Sequence, residues 1–201
     1  ISVEVLTEFI TQSKWSNRTH KNVLTTLKCI APKTLQERLA AIKTRRTKST
    51  LHKPIQDVSG LLNDIKHFSD NLYLTCLITY GCLLRPHQEI RLLKWSDIDL
   101  NKGIISLSGS RNKSGRNRII PISSLIRTEL NSRVANSNEY LLSNNGNAYS
   151  KDYLSVLWKR YKAQSKLNLD DITLYSFRHT GAIKVFEKTG SLQKHLIFIT
   201  S

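Results

Sequence analysis

The residues Tyr80-Gly-Cys-Leu-Leu-Arg85-Pro-His-Gln-Glu89 constrain this chain more than any others. The run Leu72–Leu84 is apolar apart from Thr75, Thr79 and Gly81, and it is too short to span a bilayer. It predicts a nearly all-buried helix over residues 70–83 that ends in a glycine turn. An arginine follows at once, a position where a surface charge has no reason to be. Pro86 suits the first turn of a new helix, so Arg85 stands at a helix mouth. There the helix amides and the guanidinium point the same way and can grip an anion. The ordinary alternative is a surface pair with Glu89 at i+4, which is common and only weakly stabilising.

The charge balance favours the anion. Among 201 residues there are 31 Lys+Arg against 15 Asp+Glu, a formal charge of +16. Such an excess calls for a polyanionic partner, nucleic acid first and an anionic membrane surface second. At 39% hydrophobic residues the chain can bury a real core, and its length allows one domain or one and a half. Three cysteines, Cys29, Cys76 and Cys82, lack metal-site spacing and fit a reducing cytoplasm. No signal peptide is visible. The sequence starts at Ile1 and contains no Met, so it is expected to be a fragment.

Apolar periodicity predicts helices over 2–12, 18–30 and 33–43. Val3, Leu6, Phe9 and Ile10 share one face of the first, and Val23, Leu24, Leu27 and Ile30 one face of the second, with Asn17 as N-cap. Lys43 to Pro54 carries five basic residues, Arg45, Arg46 and Lys48 among them, and no acidic one. It marks a domain boundary and is either a solvated linker or a strap on DNA. Further helices are expected over 55–67, 124–134, 151–166 and from about Ser176 to Lys188. Ile104–Ser108 and Arg118–Ile122 read as paired strands, Pro121 placing the second at an edge. The fold class is therefore mainly α with a small antiparallel β-sheet (α+β).

Two more basic clusters carry candidate chemistry. Lys113 lies in a glycine-containing hairpin loop with Arg111, Arg116 and Arg118. This is either a solvated turn or a finger that enters a DNA groove. A lysine partly desolvated among other cations has a lowered pKa and suits proton donation. Tyr175 and Arg178 are three apart at a helix start, so they share a face and can reach one ligand; a helix-capping pair with Tyr175 in the core is the alternative. His179 and Thr180 fall on other faces and are read as structural. The remaining histidines are too scattered for a metal site. No phosphate-binding glycine loop, Ser/His/Asp constellation or nuclease-type acidic pair stands out.

In this order the three clusters resemble the tyrosine recombinase (phage integrase) family. Gly81 to Asp99 resembles its first box, Lys113-Ser-Gly-Arg-Asn-Arg118-Ile-Ile-Pro121 its hairpin, and Leu174-Tyr175-Ser-Phe-Arg178-His179-Thr180 its His-x-x-Arg-His-Thr box. Val3–Ile30 is similar to the end of the family's helical core-binding domain. The resemblance implies residues 1–45 as the C-terminal part of that domain, 46–54 as a basic linker, and 55–201 as a catalytic domain. It implies a site-specific recombinase that breaks and rejoins double-stranded DNA through a 3′-phosphotyrosine, with no metal, cofactor or ATP. Arg85 and Arg178 would hold the non-bridging oxygens, Lys113 would protonate the leaving 5′-oxygen, and Tyr175 would occupy the histidine position. Arg111, Arg116, Arg45, Arg46 and Lys48 are the expected DNA contacts. The expected partners are duplex DNA and other protomers in a tetrameric synapse, with no membrane and a cytoplasmic, DNA-associated setting.

Three departures stand against the family pattern. Arg85 and Glu89 are four apart, where the family more often has three, so a local adjustment is expected. Tyr175 replaces the usual histidine; with a reference pKa of about 10 it is a poorer proton shuttle. No tyrosine follows Tyr175, so the nucleophile segment is expected to be missing. A decayed or truncated integrase that binds DNA without cleaving it is the alternative. A basic RNA-binding protein is a third.

Overall fold

The computed structural model describes residues 3–44, 52–111, 115–133 and 139–190. The chain divides into two compact units, Ile1–Thr50 and Leu51–Ser201. It is mostly helical with small antiparallel sheets.

The first unit holds α1 (Val3–Gln12), α2 (Asn17–Ile30) and α3 (Lys33–Ala41). Ile10, Leu24 and Leu39 form its core, with Leu6, Leu27, Leu35 and Ile42 packed around them. Two of the apolar residues expected to face this core do not: Phe9 and Ile30 are exposed. Phe9 instead meets the edge of Trp15, ring centroids 5.5 Å apart. The α2 cap is Ser16 rather than Asn17. Its Oγ accepts from the Thr19 amide at 3.1 Å, which places the cap one residue earlier and Asn17 inside the first turn.

The second unit is built around α5 (Asp70–Cys82), buried on nearly all sides. A helix apolar all round has no solvent face, so it takes the centre. It packs against α4 (Val58–Phe68), α6 (Ser124–Asn131), α7 (Tyr153–Gln164) and α8 (Leu174–Thr189). Ser69 starts α5 and Asp57 starts α4 by accepting main-chain amides. Strands β1 (Ile98–Asp99), β2 (Ile104–Leu107) and β3 (Arg118–Pro121) form an antiparallel sheet in that order, with Leu107 opposite Arg118. Pro121 therefore lies on an edge strand, where no ladder donor is missed. A second hairpin pairs β4 (Ser143–Asn144) with β5 (Asn147–Ala148). The buried cysteines Cys76 and Cys82 are part of this core, and burial pushes the Cys82 thiol up to about 12. Among the described residues, no helix is long and apolar enough to cross a membrane.

The crossing of α5 and α8 is unusually close. A Cβ on Gly181 would meet the Tyr80 carbonyl oxygen and, at 2.8 Å, the Leu83 side chain. Gly181→Val must force the helices apart, because one obstacle is backbone and cannot swing away. The expected cost is about 1–3 kcal/mol, roughly 2–4 °C in Tm for each kcal/mol. Thermal unfolding followed by circular dichroism checks this; an unchanged Tm would mean the helices do not meet there.

Candidate active site

The turn after α5 sets the geometry. The helix runs through Gly81, so no glycine makes the turn; Leu83 does, in the left-handed region at φ 52°, ψ 31°. Left-handed backbone disfavours a side chain with a Cβ, and such strain persists only where surrounding contacts hold it. Here the contact is visible: the Leu83 carbonyl accepts a hydrogen bond from Arg178 Nε at 2.7 Å. The sharp end of α5 thus grips an arginine on α8.

Two residues on, Arg85 is extended (φ −80°, ψ 123°), as a residue before proline prefers. The next turn, Pro86–Ile90, is a π turn. Ile90 N donates to Arg85 O at 3.0 Å, and Arg91 N to Pro86 O at 3.1 Å. A π turn holds one more residue than an α turn, so it absorbs the four-residue spacing from Arg85 to Glu89. Glu89 then folds back onto Arg85. Its Oε2 accepts from the Arg85 amide at 2.8 Å and its Oε1 from Arg85 Nη1 at 2.7 Å.

Glu89 is not the surface partner that an i+4 pair suggests. Its side chain is 0% exposed, against 28% for Arg85. It also lies 2.9 Å from Nη2 of Arg118 at the start of β3. That contact is an ion pair rather than a directed hydrogen bond, since Arg118 Nε and Nη2 have no hydrogen-bond partner. One buried carboxylate therefore ties the π turn to the hairpin.

Thr173 starts α8. Its Oγ1 accepts from the Tyr175 amide, and the Ser176 hydroxyl accepts from the Thr173 amide, closing a capping box. Tyr175 and Arg178 follow one turn apart. Burial first, and then the charge of Arg85, hold the Arg178 pKa below its ordinary value, with Arg118 adding to the repulsion and Glu89 opposing it. Arginine stays protonated regardless. Three guanidiniums thus crowd a partly desolvated place where Glu89 is ion-paired with only two of them, Arg85 and Arg118, and an added anion would relieve their repulsion.

Arg85 and Arg178, expected to act together, are brought together. Arg116 is exposed on the hairpin, two residues before Arg118. The neck of that hairpin is closed by the Asn117 side chain accepting from the Gly109 amide at 2.8 Å, and by the main chains of Gly109 and Gly115 meeting where a Cβ would not fit. Lys113 lies outside the described residues, as do Arg45, Arg46, Lys48 and the Arg111 side chain. Thr180 is structural: it accepts from the Ile55 amide at 2.9 Å and donates to the Ser176 carbonyl at 2.7 Å.

Sequence reasoning missed the histidines. His179, His52, Tyr175 and His87 form a row of rings, with successive centroids 5.3, 5.6 and 6.1 Å apart. His52 Nδ1 also lies 2.8 Å from Thr173 Oγ1 at the α8 cap. Positions 52, 87 and 179 carry no local signal of this, because only the tertiary fold joins them. Among the described residues, no group of three or more His, Cys, Asp or Glu is placed to hold a metal ion.

The domain is mostly helical, with Arg85 just beyond its central helix and Arg178 reaching the same turn from α8, and comparison with known proteins gives the class of this fold. Residues 54–194 match the model of the phage integrase family. Tyrosine recombinase XerA of Thermococcus kodakarensis is 32% identical over 142 residues, which are 66% of this chain and 48% of that protein. The chain therefore spans about half the length of this relative. Among solved structures, the Tn1549 transposon integrase in complex with transposon right end DNA superposes with a TM-score of 0.68 at 19% identity, over 99% of this chain and 76% of that one. A lambda integrase tetramer bound to a Holliday junction gives 0.70 at 17% identity, over 99% and 63%. The fold is that of these integrases, and the chain belongs to the phage integrase family.

Proposed function

We propose that this chain supplies the phosphate-gripping site of a site-specific DNA recombinase. The observation that carries this is the convergence of Arg85 and Arg178 on the Leu83 turn. Their guanidiniums hold the two non-bridging oxygens of a backbone phosphate. Planar, fixed donors suit the charge that grows there as a tyrosine oxygen attacks phosphorus. The bond from phosphorus to the 5′-oxygen breaks, Lys113 gives that oxygen a proton, and a 3′-phosphotyrosine remains. The reverse attack by a second 5′-hydroxyl rejoins the strands, so the bond energy is conserved and no ATP is consumed. Tyr175 lies beside Arg178 as a phosphate ligand, so the attacking role falls to another tyrosine. Arg111, Arg116, Arg45, Arg46 and Lys48 contact the duplex, with residues 1–45 as a helical DNA-binding part and 46–54 as its linker. Synapsis joins further protomers, and the setting is the cytoplasm.

A second function, DNA binding without cleavage, is favoured by one feature, the tyrosine where the family usually carries a histidine. Trapping on a nicked suicide duplex separates the two. A covalent adduct formed by the complete gene product supports the recombinase; binding with no adduct supports the other. Both require DNA binding driven by the +16 charge. Affinity of the 201-residue chain for duplex DNA is expected to fall by ~10³ or more between about 50 and 200 mM salt, as for six or more phosphate contacts. A gel-shift series with no binding, or binding indifferent to salt, would sink both.

A further inference from the structure

Position 175 holds a tyrosine, whose phenol has no cationic form and cannot supply a positive charge to a phosphate. The row of rings places two imidazoles beside it. His52 comes from the segment before α4 and His87 from the π turn, and they flank Tyr175 at 5.6 and 6.1 Å. His179 stacks on the far side of His52 at 5.3 Å. Both flanking histidines are partly buried, and Tyr175 between them lies three residues from Arg178 on the same helix.

We propose that His52 and His87 supply, from either side of Tyr175, the protonatable phosphate contact that position 175 lacks, so that DNA binding takes up protons. This rests on the site being the phosphate site described above. The electrostatics are consistent. Around His87 stand Arg91, Asp152 and Tyr175; burial and then Arg91 lower its pKa, and Asp152 opposes them. Around His52 stand His179 and Tyr175, with the Lys53–Asp171 ion pair next along the chain. Burial, then His52, then Arg178 lower His179. Without an anion, His87 and His179 are therefore biased towards neutral imidazole. A phosphate brought in by Arg85 and Arg178 reverses the bias, because a nearby negative charge favours the protonated form. The sign follows: the bound state holds more protons, so affinity rises as pH falls through the bound-state pKa values.

The test is the affinity of the 201-residue chain for duplex DNA from pH 8 to pH 6 at fixed salt. Each proton taken up should strengthen binding by up to about tenfold per pH unit. His52→Asn and His87→Asn should each flatten the profile, and together they should abolish most of it. His67→Asn, on the exposed end of α4, serves as the control for general surface charge and should leave the profile as it is. Tyr175→His should restore pH dependence to the double variant. A pH-independent wild type, or a profile unmoved by the two substitutions, overturns the proposal while leaving the phosphate site intact. Absence of DNA binding at every pH overturns the underlying function instead. Circular dichroism of each variant shows whether a flat profile comes from misfolding; a misfolded double variant is replaced by the two single ones, whose partial flattening must still be seen.

Discussion

Arg178→Ala is expected to slow DNA strand cleavage by the complete gene product about 10²–10³-fold, while weakening duplex binding by no more than about tenfold. The asymmetry follows from how the residue is held. Nε is committed to the Leu83 carbonyl at 2.7 Å, which fixes the plane of the guanidinium before any substrate arrives. A donor fixed in advance acts most where charge is growing, in the transition state, and adds little to ground-state binding spread over many phosphates. Arg178→Lys should rescue little, because an ammonium cannot both bond Leu83 and present a planar fork. Arg85→Ala should behave alike, though its Glu89 partner adds a folding cost. Cleavage on a nicked duplex and binding on the intact one are measured side by side. Equal losses would reduce Arg178 to one phosphate contact among many.

Glu89→Ala is expected to destabilise the 201-residue chain by about 3–5 kcal/mol, as when one member of a buried ion pair is removed. The carboxylate is fully buried and serves three donors: the Arg85 amide, Arg85 Nη1 and, by charge, Arg118 Nη2. Without it two guanidiniums face each other with nothing between them. Removing one of these charges as well should recover part of the loss, so Glu89→Ala with Arg118→Met should be more stable than Glu89→Ala alone. Urea unfolding provides both numbers. A loss below about 1 kcal/mol would be that of an exposed pair and would contradict the burial.

Much of this architecture is legible in the sequence, and the limits are physical. The helices of the second unit and the β2–β3 pair show because their apolar periodicity is local. Arg85 shows because a charge directly after a buried helix is anomalous. What the left-handed Leu83 does is not legible, since a glycine two residues earlier is the expected turn former. The structure uses Gly81 and Gly181 for close packing instead, against Ile126 and Tyr80. Ser16 takes the cap from Asn17 because two adjacent residues can both serve and only the backbone decides. Phe9 and Ile30 turn outward because a three-helix unit with Ile10, Leu24 and Leu39 at its centre has little interior to offer. Arg118 was visible as a charge but not as the second partner of Glu89. The histidine row is out of reach of any sequence pattern.

The π turn at Pro86–Ile90 bears on how kindred chains are found. It carries one more residue than an α turn and still returns the glutamate to the arginine's own amide. Arginine and carboxylate are thus paired in space while their separation along the chain is free to change by one. A search pattern with a fixed interval between them will pass over proteins built this way. An alignment that opens its gap inside the turn, at His87 or Gln88, keeps both partners in register.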